Sequence, residues 1–388
     1  MTWQSGGWGQ GARRALHALG RGVWAACLVS AGAMLPGMAA AQGGARAGGP
    51  SGAPQVDVRG AGATFPSLVY ARWAQKFAQA HPGVKVSYAP TGSGDGVKQA
   101  TARAVHFGGT DVPLSAHKLQ EARLVQIPML VGGLVPVLNL PGVEGNQLVM
   151  DGPLLADIFQ GQITRWDDAR IAALNPGVRL PALPIVRLVR QEASGSTETL
   201  LRYLGEASAR FQAAVPASGL PTWPAGVPGA QAPRAAKGND GVVGLLRGTP
   251  GGIAVVSFDR VLRDRLAAVR LKNAAGKPVM ASEAAFRAAI LSSELHQKGD
   301  DTASLLNRPR PDAWPLTATS FVLLDAAPKD MASAEWTARF VHWCFMRGDE
   351  LTRDTGFAPL PDRVQARLSG RLLQIHGPQG ETPQFMVP

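Results

Sequence analysis

The sequence predicts an α/β fold with mostly parallel sheets, because short strand-like runs alternate with helical patterns along the chain. The first observation is the stretch VDVRGAGA (56–63), which is typical of a strand that ends in a glycine loop. Directly after it, Val69, Trp73 and Phe77 recur every four residues and mark one face of a helix. The second observation is that the same order returns: VKVSYAP (84–90) is strand-like and precedes another glycine loop and helical pattern.

The alternation continues through the middle of the chain, which shows no internal repeat of about 20 to 50 residues. Proline and glycine crowd residues 214–241, so this segment is predicted to be a surface loop rather than a core element. The remaining predicted elements are a strand in LVGGLVPVLNL (130–140), a helix in LLADIFQGQI (154–163), a strand in PIVRLVR (184–190), a small-residue loop leading into a helix in ASGSTETLLRYLG (193–205) and a strand in GGIAVVSF (251–258).

The first residues have the composition of a secretory signal peptide, predicted over 1–41. Three arginines and no acidic residue precede an apolar stretch, which ends in an A-x-A pattern at Ala39–Ala41. Glycines and Pro36 interrupt the stretch, so it is not a transmembrane helix. A lipid-modified Cys27 is a weaker alternative, because the apolar run before it is very short. Residues 42–56 are rich in Gly, Ala and Pro and are predicted to be a flexible linker.

Charge and cysteine content limit the kinds of partner and of covalent cross-link that the protein can have. The formal net charge is +11, but the basic residues are scattered and aromatic residues make up only 6%. A basic patch with interleaved aromatics, as in single-strand binders, is absent from the sequence, which argues against a nucleic acid partner. A small anion remains a compatible ligand. Once the signal is removed, Cys344 is the only cysteine; it is predicted to be a buried thiol, and no disulfide can form.

Three loops rich in glycine and hydroxyl residues each precede a predicted helix: GAGATF (60–65), TGSGDG (91–96) and ASGST (193–197). The start of a helix carries unsatisfied N–H groups and a partial positive charge. Three such starts aimed at one point would form an anion site. Arg190 ends a predicted strand just before the third loop and could bind two oxygens of the same anion. The alternative is three ordinary helix starts, with Thr64 acting as a cap in the first.

Hydroxyl side chains in these loops, those of Thr64, Ser93 and Ser194 or Ser196, are candidate donors to the anion. Asp111 is the unexpected member, since a carboxylate repels an anion unless the anion carries a proton to donate. Hydrogen phosphate has that proton at neutral pH and sulfate does not, so Asp111 would discriminate between them. The alternatives for Asp111 are a turn residue before Pro113 or an ion-pair partner of Arg190.

These segments occur in an order that resembles the periplasmic phosphate-binding proteins of ABC phosphate transporters. The resemblance covers residues 57–365 and is carried by GAGATFPSLVYARWAQKF, GSGDGVKQ, FGGTDVPLS, LLADIFQGQITRWDDARIAALNPG, RQEASGST, KGNDGV, DAWPLTATSF and GFAPLPD. It implies a type II periplasmic binding protein with mixed sheets flanked by helices, and two lobes joined by a hinge. The implied lobes are 57–132 with 314–388, and 133–313.

The resemblance also implies a function and a ligand set. The protein would be a monomeric periplasmic receptor without cofactor or metal that hands inorganic phosphate to the membrane permease of an importer. The implied phosphate ligands are Thr64, Phe65 through its backbone N–H, Ser93, Asp111, Arg190, Ser194, Gly195 and Ser196.

The sequence departs from the family pattern at several positions. Asp95 adds a carboxylate near the site, Ser196 replaces the usual threonine, and Glu192 stands where an aspartate usually orients the arginine. GGIAVVSF lacks the tyrosine and glutamate common after its glycines, and the loop at 224–236 is longer than typical. These departures bear on affinity and selectivity more than on the class of ligand.

The sequence leaves three alternatives to a transport receptor for phosphate. An enzyme is disfavoured, because the histidines show no metal-ligand spacing, the chain has no G-x-S-x-G motif, and His106 next to Phe107 is more typical of a structural histidine. A receptor for another oxyanion, such as arsenate, sulfate, molybdate or an organic phosphate, is the second class. A secreted phosphate scavenger would differ from a transport receptor only in its partner.

Overall fold

A computed structural model describes residues 56–386, which all belong to one compact unit of the chain. The predicted signal peptide (1–41) and all but the last residue of the predicted linker (42–56) lie outside the described residues. The strands are β1 (Val56–Gly62), β2 (Val84–Ala89), β3 (Phe107–Thr110), β4 (Leu124–Asn139), β5 (Val149–Met150), β6 (Val186–Arg190), β7 (Arg234–Ala236), β8 (Gly252–Ser257), β9 (Ala267–Ala268), β10 (Arg270–Lys272), β11 (Pro278–Val279), β12 (Thr317–Asp325) and β13 (Phe357–Pro359).

Helices alternate with these strands through the first two thirds of the described chain. They are α1 (Ser67–Ala80), α2 (Ser93–Thr101), α3 (Ala116–Ala122), α4 (Gly152–Gln160), α5 (Ala169–Leu174), α6 (Gly195–Ala207), α7 (Ala209–Ala214), α8 (Gly238–Arg247), α9 (Phe258–Asp264), α10 (Glu283–Leu291), α11 (Glu294–Gln297), α12 (Met331–Arg347), α13 (Asp349–Thr352) and α14 (Asp362–Ser369), followed by a 3-10 helix at Gly370–Gln374. The alternation confirms the α/β class.

The main sheet has the strand order β2-β1-β3-β12-β4-β8-β6-β7, with β13 and β9 also paired to β4. A small second sheet has the order β11-β10-β5. The pairs β1–β2, β1–β3, β6–β7 and β6–β8 are parallel, whereas β12 and β8 run antiparallel to β4. The mostly parallel sheet expected from the alternation is therefore wrong, and the mixed sheet is correct. Alternation missed this because β4 and β12 cross the molecule as long central strands.

Strand β4 joins two halves of the main sheet. Up to Gly133 it pairs with β12, and from Leu134 it pairs with β8. We call β2, β1, β3, β12 and β13 the first half-sheet, and β8, β6, β7 and β9 the second half-sheet. The indole of Trp314 donates to the carbonyl of Leu134 at 3.0 Å. This bond attaches the chain just before β12 to the point in β4 where the pairing partner changes. The lobe boundaries at 132/133 and 313/314 stay a prediction, and this change of partner lies beside the first of them.

The predicted helix and strand segments up to residue 258 are present, and most differences lie at their ends. Val69, Trp73 and Phe77 are buried on one face of α1, as their spacing predicted. The glycine segments are less loop-like than expected. Gly60 and Gly62 belong to β1, α2 begins at Ser93, and α6 begins at Gly195. Small residues in the first turn of a helix resemble loop residues in sequence. The predicted starts of α2 and α6 therefore lie later in the chain than the observed ones.

The Pro- and Gly-rich segment 214–241 is organised by one buried cation. Arg187, in β6, is 2% exposed and donates to the carbonyls of Phe159, Pro224, Ala225 and Gln231 at 2.8–3.1 Å. Burial lowers the pKa of Arg187. The segment also contains β7 and the start of α8, so its prediction as loop throughout is wrong. The short β7 was missed because its residues, RAA, have no alternating pattern.

The core runs continuously beneath both half-sheets and includes Trp166, Trp314, Phe65 and Phe286, each fully buried. Cys344 is buried and free, as predicted, and burial raises the pKa of its thiol. Among residues 56–386, no helix combines the length and the apolar character needed to cross a membrane.

Candidate anion-binding site

The predicted site residues come together where strands of the two half-sheets end. Thr64 and Phe65 follow β1, Ser93 is the first residue of α2 after β2, and Asp111 follows β3. From the second half-sheet, Arg190 is the last residue of β6 and Ser194 immediately precedes α6. The carboxyl ends of parallel strands are the usual ligand sites of open α/β sheets. Seven of the eight are polar or glycine residues without a long apolar side chain; the exception, Phe65, would contribute only its backbone.

Asp111 lies at the contact between the half-sheets and is 4% exposed. Its Oδ2 accepts from the hydroxyl of Ser93 at 3.4 Å and from the hydroxyl of Ser196 at 3.3 Å. Burial raises the pKa of Asp111 to about 7, although Arg190 and nearby hydroxyls oppose the rise. Within residues 56–386, Oδ1 has no hydrogen-bond partner. A buried carboxylate oxygen without a partner is an acceptor ready for a hydrogen supplied by a ligand.

Arg190 is fixed by Glu192, the residue that departs from the family pattern. The Nε of Arg190 donates to Oε1 of Glu192 at 2.8 Å, and one terminal nitrogen donates to the same oxygen. Burial by itself would raise the pKa of Glu192, but Arg190 and the N–H of Gly238 hold it below its usual value. Glu192 therefore orients the arginine despite its extra methylene, and its hydrogen bonds use only Nε and one of the two terminal nitrogens.

Helix α6 begins at the cleft. The Ser194 hydroxyl caps it by accepting from the N–H of Thr197 at 3.3 Å, and the N–H of Ser194 itself donates to the carbonyl of Gly219 at 2.9 Å. The backbone N–H groups of Gly195 and Ser196 fall in the first turn, where a helix provides no internal acceptor. Ser194 can thus offer a ligand its hydroxyl hydrogen, whereas Gly195 and Ser196 can offer backbone donors.

Thr64 and Phe65 form the part of the candidate site that directly follows β1. Thr64 is 8% exposed and Phe65 is fully buried, with its ring edge-to-face against Phe357 at 4.9 Å between centroids. The residue preceding α1 is Pro66, and no side chain caps this helix. The alternative that Thr64 is an ordinary helix cap is therefore wrong. Its hydroxyl instead accepts from Asn239 Nδ2 at 3.4 Å.

The Asp95 carboxylate is hydrogen-bonded by neighbours in its own part of the chain. Its carboxylate accepts from Gln99, four residues on, and a hydrogen bond from Thr91, together with Gln99 and nearby lysines, lowers its pKa. The side chain sits in the first turn of α2, where a negative charge is favourable.

Three residues near the site were missed at the level of sequence. Asn239 lies in KGNDGV, which carried the resemblance but suggested no role. Ser320 is fully buried, and the antiparallel register Phe321↔Thr110 sets it across from Asp111, whose pKa its hydroxyl lowers. Tyr70 is also buried close by, and burial raises its pKa. Ser320 could have been found only from strand register, because it is about 200 positions away from Asp111 in the chain.

A groove of about 380 Å³ runs along the line where the half-sheets meet. Ser93, Ser194 and Gly195 are among the residues that line it. The starts of α2 and α6 are thus at the wall of a groove that solvent reaches, whereas Asp111 and Arg190 do not line it. Among the described residues, no group of three or more His, Cys, Asp or Glu side chains is arranged to hold a metal ion.

Gly195 leaves no room for a side chain. A Cβ on this residue would lie 2.7 Å from the Ser93 hydroxyl and 2.8 Å from the Cβ of Asp111. We expect Gly195→Ala to hold the half-sheets apart and to weaken anion binding by at least about tenfold, as overpacking commonly costs this much. Titration calorimetry measures the effect. Gly244→Ala is the matched control, because a Cβ there meets nothing within 4 Å. Equal affinities of the two variants would contradict the expectation.

Comparison with known proteins identifies the family of this chain. The sequence model of the PBP superfamily domain matches residues 45–347. A phosphate-binding protein PstS of Xylella fastidiosa is 36% identical over 309 residues, covering 80% of this chain and 83% of the relative. This chain belongs to the PBP superfamily and, within it, to the PstS family. A PstS of Haemophilus influenzae is 34% identical over 314 residues, which cover 81% of this chain and 92% of that protein.

Solved structures support the PstS-type fold. A phosphate-binding protein from Stenotrophomonas maltophilia superimposes with a TM-score of 0.59 at 21% identity, covering 82% of this chain and 94% of that one. At this identity the likeness concerns the fold, and it confirms the type II periplasmic binding architecture.

Proposed function

We propose that this PstS-family protein is a periplasmic receptor that binds inorganic phosphate between two lobes and delivers it to an ABC-type importer. The relatives at 34–36% identity bear the name phosphate-binding protein. The observation that carries the proposal is that a hydrogen-bond acceptor and several hydrogen-bond donors lie buried around one point. Asp111 offers an unpartnered acceptor oxygen, while Arg190, the hydroxyls of Thr64 and Ser194 and the first N–H groups of α6 offer donors. Hydrogen phosphate is both donor and acceptor, so it complements this arrangement.

In this proposal the first lobe contributes Thr64, Phe65, Ser93 and Asp111, and the second contributes Arg190, Ser194, Gly195 and Ser196. Closure of the lobes surrounds the anion, and the closed shape is what the permease recognises. The chain would reach the periplasm through the signal peptide at 1–41 and act as a monomer. In this role the protein performs no covalent chemistry. Its affinity comes from short, charge-assisted hydrogen bonds that offset the loss of water around the anion.

Titration calorimetry of the mature chain tests the proposal. The protein is first stripped of ligand by mild unfolding and refolded, and phosphate and then sulfate are titrated at neutral pH. We expect one phosphate per chain and no binding heat with sulfate. If a demonstrably refolded protein gave no heat with phosphate, the proposal would fail, and other oxyanions would be tested in the same cell. Arsenate is expected to bind, because it carries a proton in the same position.

A further inference from the structure

Asn239 crosses the contact between the two half-sheets. It is the second residue of α8, follows Gly238, and is 3% exposed. Its Nδ2 donates to the hydroxyl of Thr64 at 3.4 Å and to the hydroxyl of Ser257 at 3.3 Å. Thr64 follows β1 of the first half-sheet, whereas Ser257 ends β8 of the second half-sheet and Asn239 lies in α8, which packs beside β8. One amide therefore connects the Thr64 wall of the cleft to the opposite side.

The position of Asn239 is coupled to that of Arg190. The backbone N–H of Gly238 donates to both carboxylate oxygens of Glu192, at 3.1 and 3.2 Å, and Glu192 in turn holds Arg190. The start of α8 is thus tied to the arginine of the candidate site. A continuous set of contacts runs from Arg190 through Glu192 and Gly238 to Asn239 and ends at Thr64.

The orientation of the Asn239 amide follows from its second partner. Ser257 donates its single hydroxyl hydrogen to Oδ1 of Asp259, a buried carboxylate that Arg260 Nε contacts at 3.2 Å. As long as Asp259 is ionised, Ser257 can therefore act only as an acceptor towards Asn239. The amide must turn its NH₂ group, not its oxygen, towards Ser257, and the same NH₂ group reaches Thr64.

This orientation decides the direction of the Thr64 hydroxyl. A hydroxyl has one hydrogen to donate and two lone pairs to accept with. Asn239 occupies one lone pair of Thr64 Oγ1, so the hydrogen of Thr64 is left for another acceptor. We propose that Asn239 is a positioning residue that fixes the Thr64 hydroxyl as a donor to the bound anion. The proposal rests on the proposed phosphate function, since Thr64 is assigned to the anion there.

A double-mutant cycle between Asn239 and Thr64 tests the proposal by phosphate calorimetry. We expect Asn239→Ala to weaken phosphate binding by about tenfold in the wild-type background. In the Thr64→Val background, which has no hydroxyl to orient, the same change should have almost no effect. In the Thr64→Ser background the hydroxyl is restored, and the tenfold loss should return. A merely structural role of Asn239 would instead give the same loss in all three backgrounds, which overturns the proposal.

Two controls keep the outcome readable. Asp240→Asn alters the next residue of α8, whose side chain is 69% exposed, and is expected to bind phosphate as the wild type does. If Asn239→Ala does not fold, the uncharged and nearly isosteric Asn239→Leu replaces it in the cycle with the same expected coupling. Wild-type affinity of a folded Asn239 variant would overturn this inference alone. Loss of phosphate binding by the wild type itself would instead overturn the proposed function.

Discussion

Replacement of Arg190 by alanine is expected to weaken phosphate binding by about 10²- to 10³-fold, because truncating one member of a buried, hydrogen-bonded charge pair commonly costs this much. The side chain of Arg190 is only 6% exposed, so water cannot take over its role. Its loss would leave the Glu192 carboxylate near the anion without its positive partner. Arg190 opposes the rise in the pKa of Asp111, and this opposition would also disappear.

Calorimetry with phosphate measures this loss, and thermal unfolding of the ligand-free protein checks that the variant folds. Arg190→Lys keeps the charge but cannot form two parallel hydrogen bonds, so an intermediate affinity is expected. Arg310→Ala is the matched control, since Arg310 is half exposed and pairs with Asp312 elsewhere on the surface. A folded Arg190→Ala protein with wild-type affinity would remove the arginine from the site.

Asp111→Asn is expected to erase most of the discrimination against sulfate. The wild-type carboxylate accepts a hydrogen from the ligand, and sulfate has none to offer at neutral pH. An asparagine amide can also donate, so a sulfate oxygen finds a partner where it previously faced a buried acceptor. We expect the ratio of phosphate to sulfate affinity to fall by at least about 10²-fold, through both weaker phosphate and stronger sulfate binding.

Calorimetric titration of both anions into both proteins gives the two ratios directly. Ser93→Ala is a useful comparison, because it removes one hydroxyl donor to Asp111 and leaves the carboxylate in place. It should weaken phosphate binding while keeping sulfate excluded. An unchanged ratio in Asp111→Asn would mean that another group recognises the proton of the ligand.

The same variant should alter how the stability of the ligand-free protein depends on pH. The pKa of Asp111 is raised to about 7 in the folded protein, so the folded state keeps a proton that the unfolded chain has already lost. The wild type should therefore lose stability relative to Asp111→Asn as the pH rises from about 4 to about 7, with no further change above. Asp259, also raised to about 7, is present in both proteins and cancels. Urea unfolding at several pH values measures the difference in the free energy of unfolding between the two proteins. A difference that does not change with pH would contradict the raised pKa of Asp111.

Some of the site could be predicted residue by residue, because its signals are local. A strand, a glycine-rich turn and a helix start each leave a pattern within about ten residues, and three of these patterns lie beside Thr64, Ser93 and Ser194. Asp111 attracted attention because a carboxylate is chemically unexpected beside such loops. The structure brings these residues to one contact, although their role as ligands stays a proposal.

Other features depend on register and could not be predicted in this way. Ser320 lies across from Asp111 only because β12 runs antiparallel to β3 with Phe321 opposite Thr110. The sheet itself was expected to be mostly parallel, and the long antiparallel β4 and β12 make it mixed. Alternation along a sequence reports the type of each element but not the direction in which distant strands pair.

By itself, the sequence determined the alternating α/β class, the family resemblance and the residue types of an anion site. Each of these depends on patterns within short stretches of neighbouring residues. Only the tertiary structure decided how the site is held: Glu192 orients Arg190, Arg187 organises the long loop, and Asn239 reaches across to Thr64. The physical reason is that a hydrogen bond depends on distances of about 3 Å and on direction, which the packing of remote elements sets.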